Sequence, residues 1–153
     1  MQSAAITPVF GTLNPALDYI HRAAAYVVIR DAQARVAAVK GKRHYFLPGG
    51  GALPDETPEQ TVVREVREEL ARELRDLRQL GQAVQYFVAD ETHYRMEAVF
   101  FAAEFATEAD GVGEHELEWL DVAQAAASFF HQCHVWAIGL LNNGEDKTCA
   151  SQK

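Results

Sequence analysis

The chain has 153 residues, of which 48% are hydrophobic and 24% charged, and its formal net charge is −8. This length and composition indicate one globular domain with enough residues to bury a core. A protein that grips a nucleic-acid backbone needs a basic face, so the charge argues against a nucleic acid polymer as ligand.

The sequence contains no apolar run of membrane-spanning length, and its N-terminus lacks the basic start and long apolar core of a signal peptide. Its two cysteines, Cys133 and Cys149, do not make a disulfide framework. We therefore expect a cytoplasmic protein without a membrane partner.

Three regions are expected along the chain. Residues 1–21 mix prolines and a glycine with short apolar pieces, which predicts an N-terminal lead-in segment with a short strand near Val9. The domain itself is predicted over residues 22–141. The polar, glycine-broken residues 142–153 are predicted to form a flexible tail.

The first half of the domain reads as strands followed by one helix. Strands are predicted over residues 22–30, 34–40 and 44–47. The third strand leads into a glycine turn, Gly49-Gly50-Gly51, and the turn leads into the helix. Glycine allows the backbone to turn tightly and to approach other groups closely.

The second half contains further strands and two helices. Strands are predicted over residues 82–89, 94–106 and 117–120, and helices over residues 122–127 and 131–141. This arrangement predicts an α/β fold in which a mixed β-sheet carries helices on both faces.

The start of the central helix is well marked. Thr57 is suited to cap the helix, Pro58 suits the first helical position, and Gln60 completes a capping box. Further along, Glu65, Glu68 and Glu69 fall within an arc of roughly 100° on one side of the helix. The apolar residues lie on a separate face.

Two interpretations of the acidic face are open. It is a solvated helix face if Arg64 and Arg72 each pair with Glu68 at i,i+4 spacing. It is a metal site if the glycine turn brings backbone carbonyls towards the acids, because hard divalent cations take oxygen ligands that converge from two sides.

Residues 47–72 resemble the signature of the Nudix hydrolase family, G-x5-E-x7-R-E-U-x-E-E-x-G-U, where U is aliphatic. The matching residues are Gly50, Glu56, Arg64, Glu65, Val66, Glu68 and Glu69. Two positions depart from the signature, because Ala71 replaces its second glycine and Arg72 its last aliphatic residue. Ala71 is a good helix former, so we expect the helix to continue past it through residues 73–77.

The resemblance implies a MutT-like enzyme with the α/β/α sandwich of the Nudix fold. It implies Mg²⁺ or Mn²⁺ as cofactor and hydrolysis of a diphosphate linkage in a nucleoside diphosphate joined to another group. It also implies site residues. Metal ligands would be the Gly49 carbonyl and the carboxylates of Glu65, Glu68 and Glu69.

The same resemblance implies catalytic roles. Glu68 and Glu69 would take part in catalysis, and Arg64 would hold the loop and helix together through an ion pair with Glu56. A further acid from a late loop would act as ligand or base, and its candidates are Glu114 and Glu116.

Substrate-binding candidates come from the residues themselves. Arg22 and Arg43 lie near strand ends, where they can meet phosphate oxygens, and Tyr45 can stack on a base. The alternative is solvated surface charge for the arginines and core packing for the tyrosine. His131 and His134 with Cys133 lack a full zinc ligand set, so packing or surface roles are favoured.

The substrate is predicted by elimination. Family members acting on ADP-ribose tend to carry a proline downstream of the signature, and no proline follows Pro58. The tyrosine typical of members acting on dinucleoside polyphosphates is also missing from its position. A nucleoside triphosphate or modified (oxidised) nucleotide is therefore favoured. A nucleotide sugar, a dinucleoside polyphosphate and a non-catalytic nucleotide-binding module remain alternatives, and a homodimer is one expected assembly.

Overall fold

A computed structural model describes residues 6–106 and 108–151, with side chains as far as Leu141. The strands are β1 (Val9–Phe10), β2 (Ile20–Val28), β3 (Val36–Lys40), β4 (Tyr45–Phe46), β5 (Gly49–Gly51), β6 (Leu74–Ala89), β7 (Thr92–Phe105) and β8 (Leu117–Leu120). The helices are α1 (Pro58–Leu70), α2 (Val122–Ser128) and α3 (Gln132–Ser151).

The main sheet is mixed, as the sequence predicted. Its five strands run in the order β1-β6-β7-β2-β5. Strand β2 pairs parallel with β7 and antiparallel with β5, while β6 and β7 form a long antiparallel pair. A second, three-stranded antiparallel sheet, β4-β3-β8, was not distinguished from the sequence.

Helices cover both faces of the main sheet. Side chains of a strand alternate between the two faces, and in β2 the apolar side chains on both faces are buried. Ala25 and Val27 of β2 belong to the core cluster that includes Val62 and Val66 of α1. The neighbouring β2 residues Ala24, Tyr26 and Val28 belong to the cluster that includes Ala137 and Ile138 of α3. This is the predicted α/β/α layering.

The expectation that α1 continues past Ala71 is wrong. The helix ends at Leu70, and Ala71 adopts a left-handed conformation with φ 55° and ψ 39°. The chain then enters β6, where Leu74 pairs with Phe105 of β7. Leu74 still packs in the cluster beneath α1, but it does so from the sheet. Strand pairing therefore overrides the local helical preference of this stretch.

The two ends of the chain agree with the predictions only in part. The predicted short strand near Val9 is confirmed, and it pairs parallel with β6 as an edge of the main sheet. Strand β2 begins at Ile20, inside the predicted lead-in segment. The backbone of residues 142–151 is helical, where the sequence predicted a loose tail. One glycine, Gly144, costs a helix only about 1 kcal/mol.

Candidate active site

The start of α1 is the capping box that the sequence predicted. The Thr57 hydroxyl accepts a hydrogen bond from the Gln60 N–H at 3.2 Å, and Gln60 Oε1 accepts one from the Thr57 N–H at 3.0 Å. Pro58 occupies the first turn. The apolar side of the helix packs on the sheet, and Glu65 lies against β5.

Arg64 ties α1 to the preceding loop. Its Nε and Nη2 atoms donate to the two carboxylate oxygens of Glu56 at 2.6 and 3.0 Å, and Nη2 also donates to the Gly51 carbonyl at 3.0 Å. Its Nη1 donates to Glu65 at 3.0 Å and Glu68 at 3.1 Å. The predicted pairs with Glu56 and Glu68 are confirmed. The hydrogen bonds from Arg64 lower the pKa of Glu56 to about 2.

The prediction that Arg72 pairs with Glu68 is wrong. The Arg72 guanidinium carbon lies 4.6 Å from the centroid of the Phe105 ring, and Arg72 Nη2 is 4.0 Å from the Glu108 carboxylate. The reason is the early end of α1. Because the helix stops at Leu70, the i,i+4 geometry of these two residues does not form.

The three glycines form a strand, not the predicted turn. Gly50 packs against the acidic face so closely that a Cβ there would lie 2.8 Å from the Glu65 carboxyl carbon. Gly49 has φ 139°, and a Cβ on it would clash with the Ala25 carbonyl. Glycine at these two positions allows β5 to lie directly against the acids.

Gly49 contacts the acidic face through its backbone. Its N–H donates to Glu69 Oε1 at 3.0 Å. The preceding Pro48 carbonyl accepts from the Val27 N–H, so Gly49, opposite Tyr26, occupies a position whose polar groups point away from β2. The N–H and the carbonyl of Gly49 therefore lie on the edge of β5 that faces α1.

The negative charge of this site is only partly compensated. Burial, together with repulsion from Glu65, raises the pKa of Glu69 to about 8, and burial also raises the pKa of Glu65. Within the described residues, no group of three or more His, Cys, Asp or Glu side chains is arranged so that it could hold a metal ion. Crowded carboxylates beside a backbone carbonyl nevertheless fit a hard divalent cation, which takes oxygen ligands and would relieve the repulsion.

The loop before β8 lies against the end of α1. The N–H groups of Glu114 and His115 donate to the carbonyls of Glu68 and Glu69 at 3.0 and 2.9 Å. The charge of Glu114 contributes to the raised pKa of Glu69, so Glu114 is close to the acidic face. Glu116 is exposed immediately before β8. Of the two late-loop candidates, the structure places Glu114 beside the acids.

A cavity of about 320 Å³ opens next to Gly49, Gly50 and Glu69. Its wall includes Arg22, whose guanidinium also packs over β5: a Cβ on Gly51 would lie 2.9 Å from Arg22 Nε. Rings form another part of the wall, and these belong to Tyr26, Phe46, Phe87, Phe130 and His131. The cavity therefore joins an apolar, aromatic region to the acidic face.

Two predicted substrate-binding residues are not brought to this cavity. Arg43 is exposed and lies outside the cavity lining. The Tyr45 hydroxyl donates to Glu118 at 2.6 Å, and its ring packs against the core, in contrast to the predicted stacking on a base. Side chains alternate along β4, so Phe46 lines the cavity instead.

Sequence reasoning also missed His131 and Phe130 as cavity residues. For His131, the sequence favoured a packing or surface role over zinc binding. Its neighbour His134 is fully buried, and its Nδ1 accepts from the Leu47 N–H at 3.1 Å. The sequence did contain a sign of them, the run of three aromatic rings Phe129-Phe130-His131 before α3. A single core position needs only one ring, so the others were candidates for a cavity wall.

A second cavity, of about 390 Å³, lies beside the first turn of α1. Of the signature acids it contacts Glu56, which Arg64 already pairs. The remaining lining comes mainly from strands β2, β6 and β7 and includes Ala23, Arg95 and Glu97. It is separate from the acidic face of α1.

The fold is thus an α/β/α sandwich in which a helix with clustered acids lies against a glycine strand. The chain belongs to the Nudix family, because the family model described as the NUDIX domain matches residues 20–135. It is accordingly a Nudix pyrophosphohydrolase.

Solved structures share this fold. A MutT NUDIX hydrolase from Burkholderia pseudomallei is 25% identical with a TM-score of 0.65, covering 79% of this chain and 98% of that one. A NUDIX hydrolase from Nitrosomonas europaea is 15% identical with a TM-score of 0.64, covering 82% and 90%. The E. coli dihydroneopterin triphosphate pyrophosphohydrolase is 22% identical with a TM-score of 0.63, covering 76% and 91%.

None of the curated proteins compared with this chain matches it. Within the described ranges, no helix combines the length and the apolar character that crossing a bilayer requires.

Proposed function

We propose that this chain is a Mg²⁺- or Mn²⁺-dependent pyrophosphohydrolase that acts on nucleoside triphosphates, including modified (oxidised) nucleotides. The observation that carries this proposal is that one cavity has an aromatic part and also borders the acidic face of α1. The aromatic part of the cavity adjoins Gly49 and Glu69 directly. A base among the rings would therefore leave its phosphate chain at the acidic face.

The size of the cavity supports a nucleotide. Its volume of about 320 Å³ is within the range of small-molecule sites, roughly 300–1,000 Å³. Aromatic rings favour stacked and edge-on contacts with a flat base. Phe87 and Phe130 are arranged edge to face, with ring centroids 6.0 Å apart.

Each acidic residue has a proposed part in holding the cofactor. Glu65, Glu68 and Glu69 would hold a divalent ion together with the Gly49 carbonyl, which shares the edge of β5 facing α1. A bound ion of this kind neutralises charge on phosphoryl oxygens and lowers the pKa of a coordinated water. Arg64 acts by positioning, because it fixes Glu65 and Glu68 relative to the loop.

Two further residues would act on the substrate. Arg22 lines the cavity beside β5, where its guanidinium can donate to phosphate oxygens. Glu114 is our preferred general base, because it lies near Glu69 and its loop is fixed on α1. Glu116 is the second candidate.

A substrate panel with Mg²⁺ tests this proposal. Nucleoside triphosphates, an oxidised nucleotide, a nucleotide sugar, ADP-ribose and a dinucleoside polyphosphate are compared by chromatography of the nucleotide products, with release of phosphate and pyrophosphate measured in parallel. We expect pyrophosphate and a nucleoside monophosphate from the triphosphates, with the highest kcat/KM. Turnover of a nucleotide sugar or dinucleoside polyphosphate alone would establish the corresponding alternative. No turnover of any substrate would favour the non-catalytic binding module.

The proposal also covers the binding partner of the enzyme. We propose a small nucleotide rather than a nucleic acid polymer, since the net charge of −8 would repel a phosphate backbone away from the metal site. A cytoplasmic location and a homodimer stay predictions from the sequence. Fractionation of cells and sedimentation of the purified chain decide them.

A further inference from the structure

His131 has an unusual environment for a polar side chain in this protein. Only 4% of the residue is exposed, and it lines the cavity next to Glu69. Its ring centroid is 4.6 Å from that of Phe87 and 4.8 Å from that of Phe130, in both cases at steep angles. A leucine or phenylalanine would fill the same space without the cost of burying polar atoms.

One nitrogen of this imidazole is enclosed without a hydrogen-bond partner. The buried atom is Nδ1 of His131. The residue lines the cavity, which leaves Nε2 as the ring nitrogen that can reach a ligand there. Buried polar groups in folded proteins are nearly always paired, so an exception beside a cavity calls for a ligand or a specific function.

The protonation of the ring follows from its surroundings. Burial, and the charge of the nearby Arg22, lower the pKa of His131 to about 4, so the imidazole is neutral at neutral pH. A neutral imidazole carries one proton. An orphaned N–H is rarer in buried sites than an orphaned acceptor. This favours the tautomer with the proton on Nε2, which adds an N–H donor to the aromatic part of the cavity.

The local structure leaves this side chain available for a ligand. His131 immediately precedes α3, a position where a side chain often caps the helix. Here the Cys133 N–H donates instead to Oε1 of Gln85 from β6, at 3.0 Å. Capping is thus supplied from the sheet, and the His131 ring remains among the aromatic residues of the cavity.

We propose that His131 is a specificity-determining residue that donates a hydrogen bond from Nε2 to an acceptor atom on the edge of the substrate's base. The inference rests on the proposed function, since it places the base among Phe46, Phe87 and Phe130 and the phosphates at the acidic face. An apolar wall alone cannot distinguish one flat ring from another. A single directed donor in such a wall discriminates strongly, because a ligand without the acceptor leaves it unpaired.

The first test compares a nucleoside triphosphate with ribose 5-triphosphate, which lacks a base. For His131→Phe, which keeps a ring in place, we expect kcat/KM to fall about tenfold or more on the nucleotide. On ribose 5-triphosphate we expect no change. His131→Gln can place an amide N–H near the original Nε2 and should recover most of the lost kcat/KM.

The matched control is His44→Phe. The His44 ring also packs on Phe130, at 5.2 Å between centroids, but it is exposed and lies outside the cavity lining. This variant should keep the wild-type ratio of the two kcat/KM values. Wild-type kcat/KM on both substrates in His131→Phe, or an equal loss on both, would overturn the proposal.

A second measurement needs no variant. In the imidazole ¹⁵N spectrum of the wild-type protein, the protonated Nε2 signal of His131 should shift when an α,β-methylene nucleoside triphosphate is added with Mg²⁺. Inorganic triphosphate should not shift it. No response to the nucleotide analogue would contradict the role of His131. Failure of the wild-type enzyme on every nucleotide would instead refute the proposed function, independently of this signal.

Discussion

The Glu69 carboxylate accepts a hydrogen bond from the backbone N–H of Gly49 at 3.0 Å, and this contact joins α1 to β5 at the centre of the site. The bond orients a half-buried carboxylate towards the strand that carries the proposed carbonyl ligand. It also holds the acid beside the aromatic cavity. Glu69 thus lies where the proposed metal site adjoins the proposed base pocket.

Glu69→Gln is expected to lower kcat by about 100-fold or more, because the amide keeps the shape of the side chain but loses its negative charge. Stability should not fall, since the change removes a buried carboxylate that is repelled by Glu65. Steady-state kinetics and thermal unfolding check both statements. Glu59→Gln, an exposed change in the first turn of the same helix, is the control and should retain activity. Wild-type turnover in Glu69→Gln would exclude Glu69 from the mechanism.

Gly50→Ala is expected to weaken Mg²⁺ binding by about tenfold, because its Cβ would displace the Glu65 carboxylate from β5. Folding should survive, since the displaced group is the end of a flexible side chain. Calorimetric titration with Mg²⁺ measures the effect. Gly139→Ala in α3 meets nothing within 4 Å and should leave Mg²⁺ affinity unchanged. Equal affinities in both variants would show that the approach of Gly50 to Glu65 is not needed.

Arg64 should make stability depend on acid pH through Glu56. Its hydrogen bonds lower the folded-state pKa of Glu56 from the ordinary 4.5 to about 2. Stability from this ionised carboxylate is therefore present above pH about 5 and is lost as pH falls towards 2. Unfolding of the wild type and of Glu56→Gln should differ most above pH 5 and converge below it. A difference that stays constant over this range would contradict the pairing.

Ala71→Gly is expected to stabilise the protein by roughly 0.5–1 kcal/mol. Ala71 holds a left-handed conformation at the end of α1, which glycine adopts without steric cost. Denaturant unfolding measures the change. Ala126→Gly in α2 should instead destabilise by about 1 kcal/mol, since it places glycine inside a helix. Loss of stability in Ala71→Gly would mean that chain entropy outweighs relief of strain.

Features set by neighbouring residues were predictable from the sequence. The capping box of α1 depends on residues three positions apart, and the pair of Arg64 with Glu68 on residues four apart. The end of α1 was not predictable in this way. It depends on the pairing of Leu74 with Phe105, which lie far apart in the chain. Local helix propensity at Ala71 therefore gave the wrong boundary.

In the candidate site, too, the features set by residues close in sequence were predictable and those set by distant residues were not. Its acids lie on one helix and follow a recognisable spacing, whereas its cavity draws residues from β2, β4, β6 and the segment before α3. Tyr45 and Phe46 are adjacent aromatics, and the pairing of β4 with β3 determines which of them faces the cavity. No local pattern distinguishes them. The sequence could therefore place the acids on one face of α1 but could not indicate which aromatic residues line the cavity.

The most direct test of this account is a crystal of the wild-type protein soaked in Mn²⁺, with anomalous diffraction used to locate the ion. We predict a peak bound by carboxylate oxygens of Glu65, Glu68 and Glu69 and by the Gly49 carbonyl. No peak at this face of α1, or a peak elsewhere in a protein that remains active, would contradict the account.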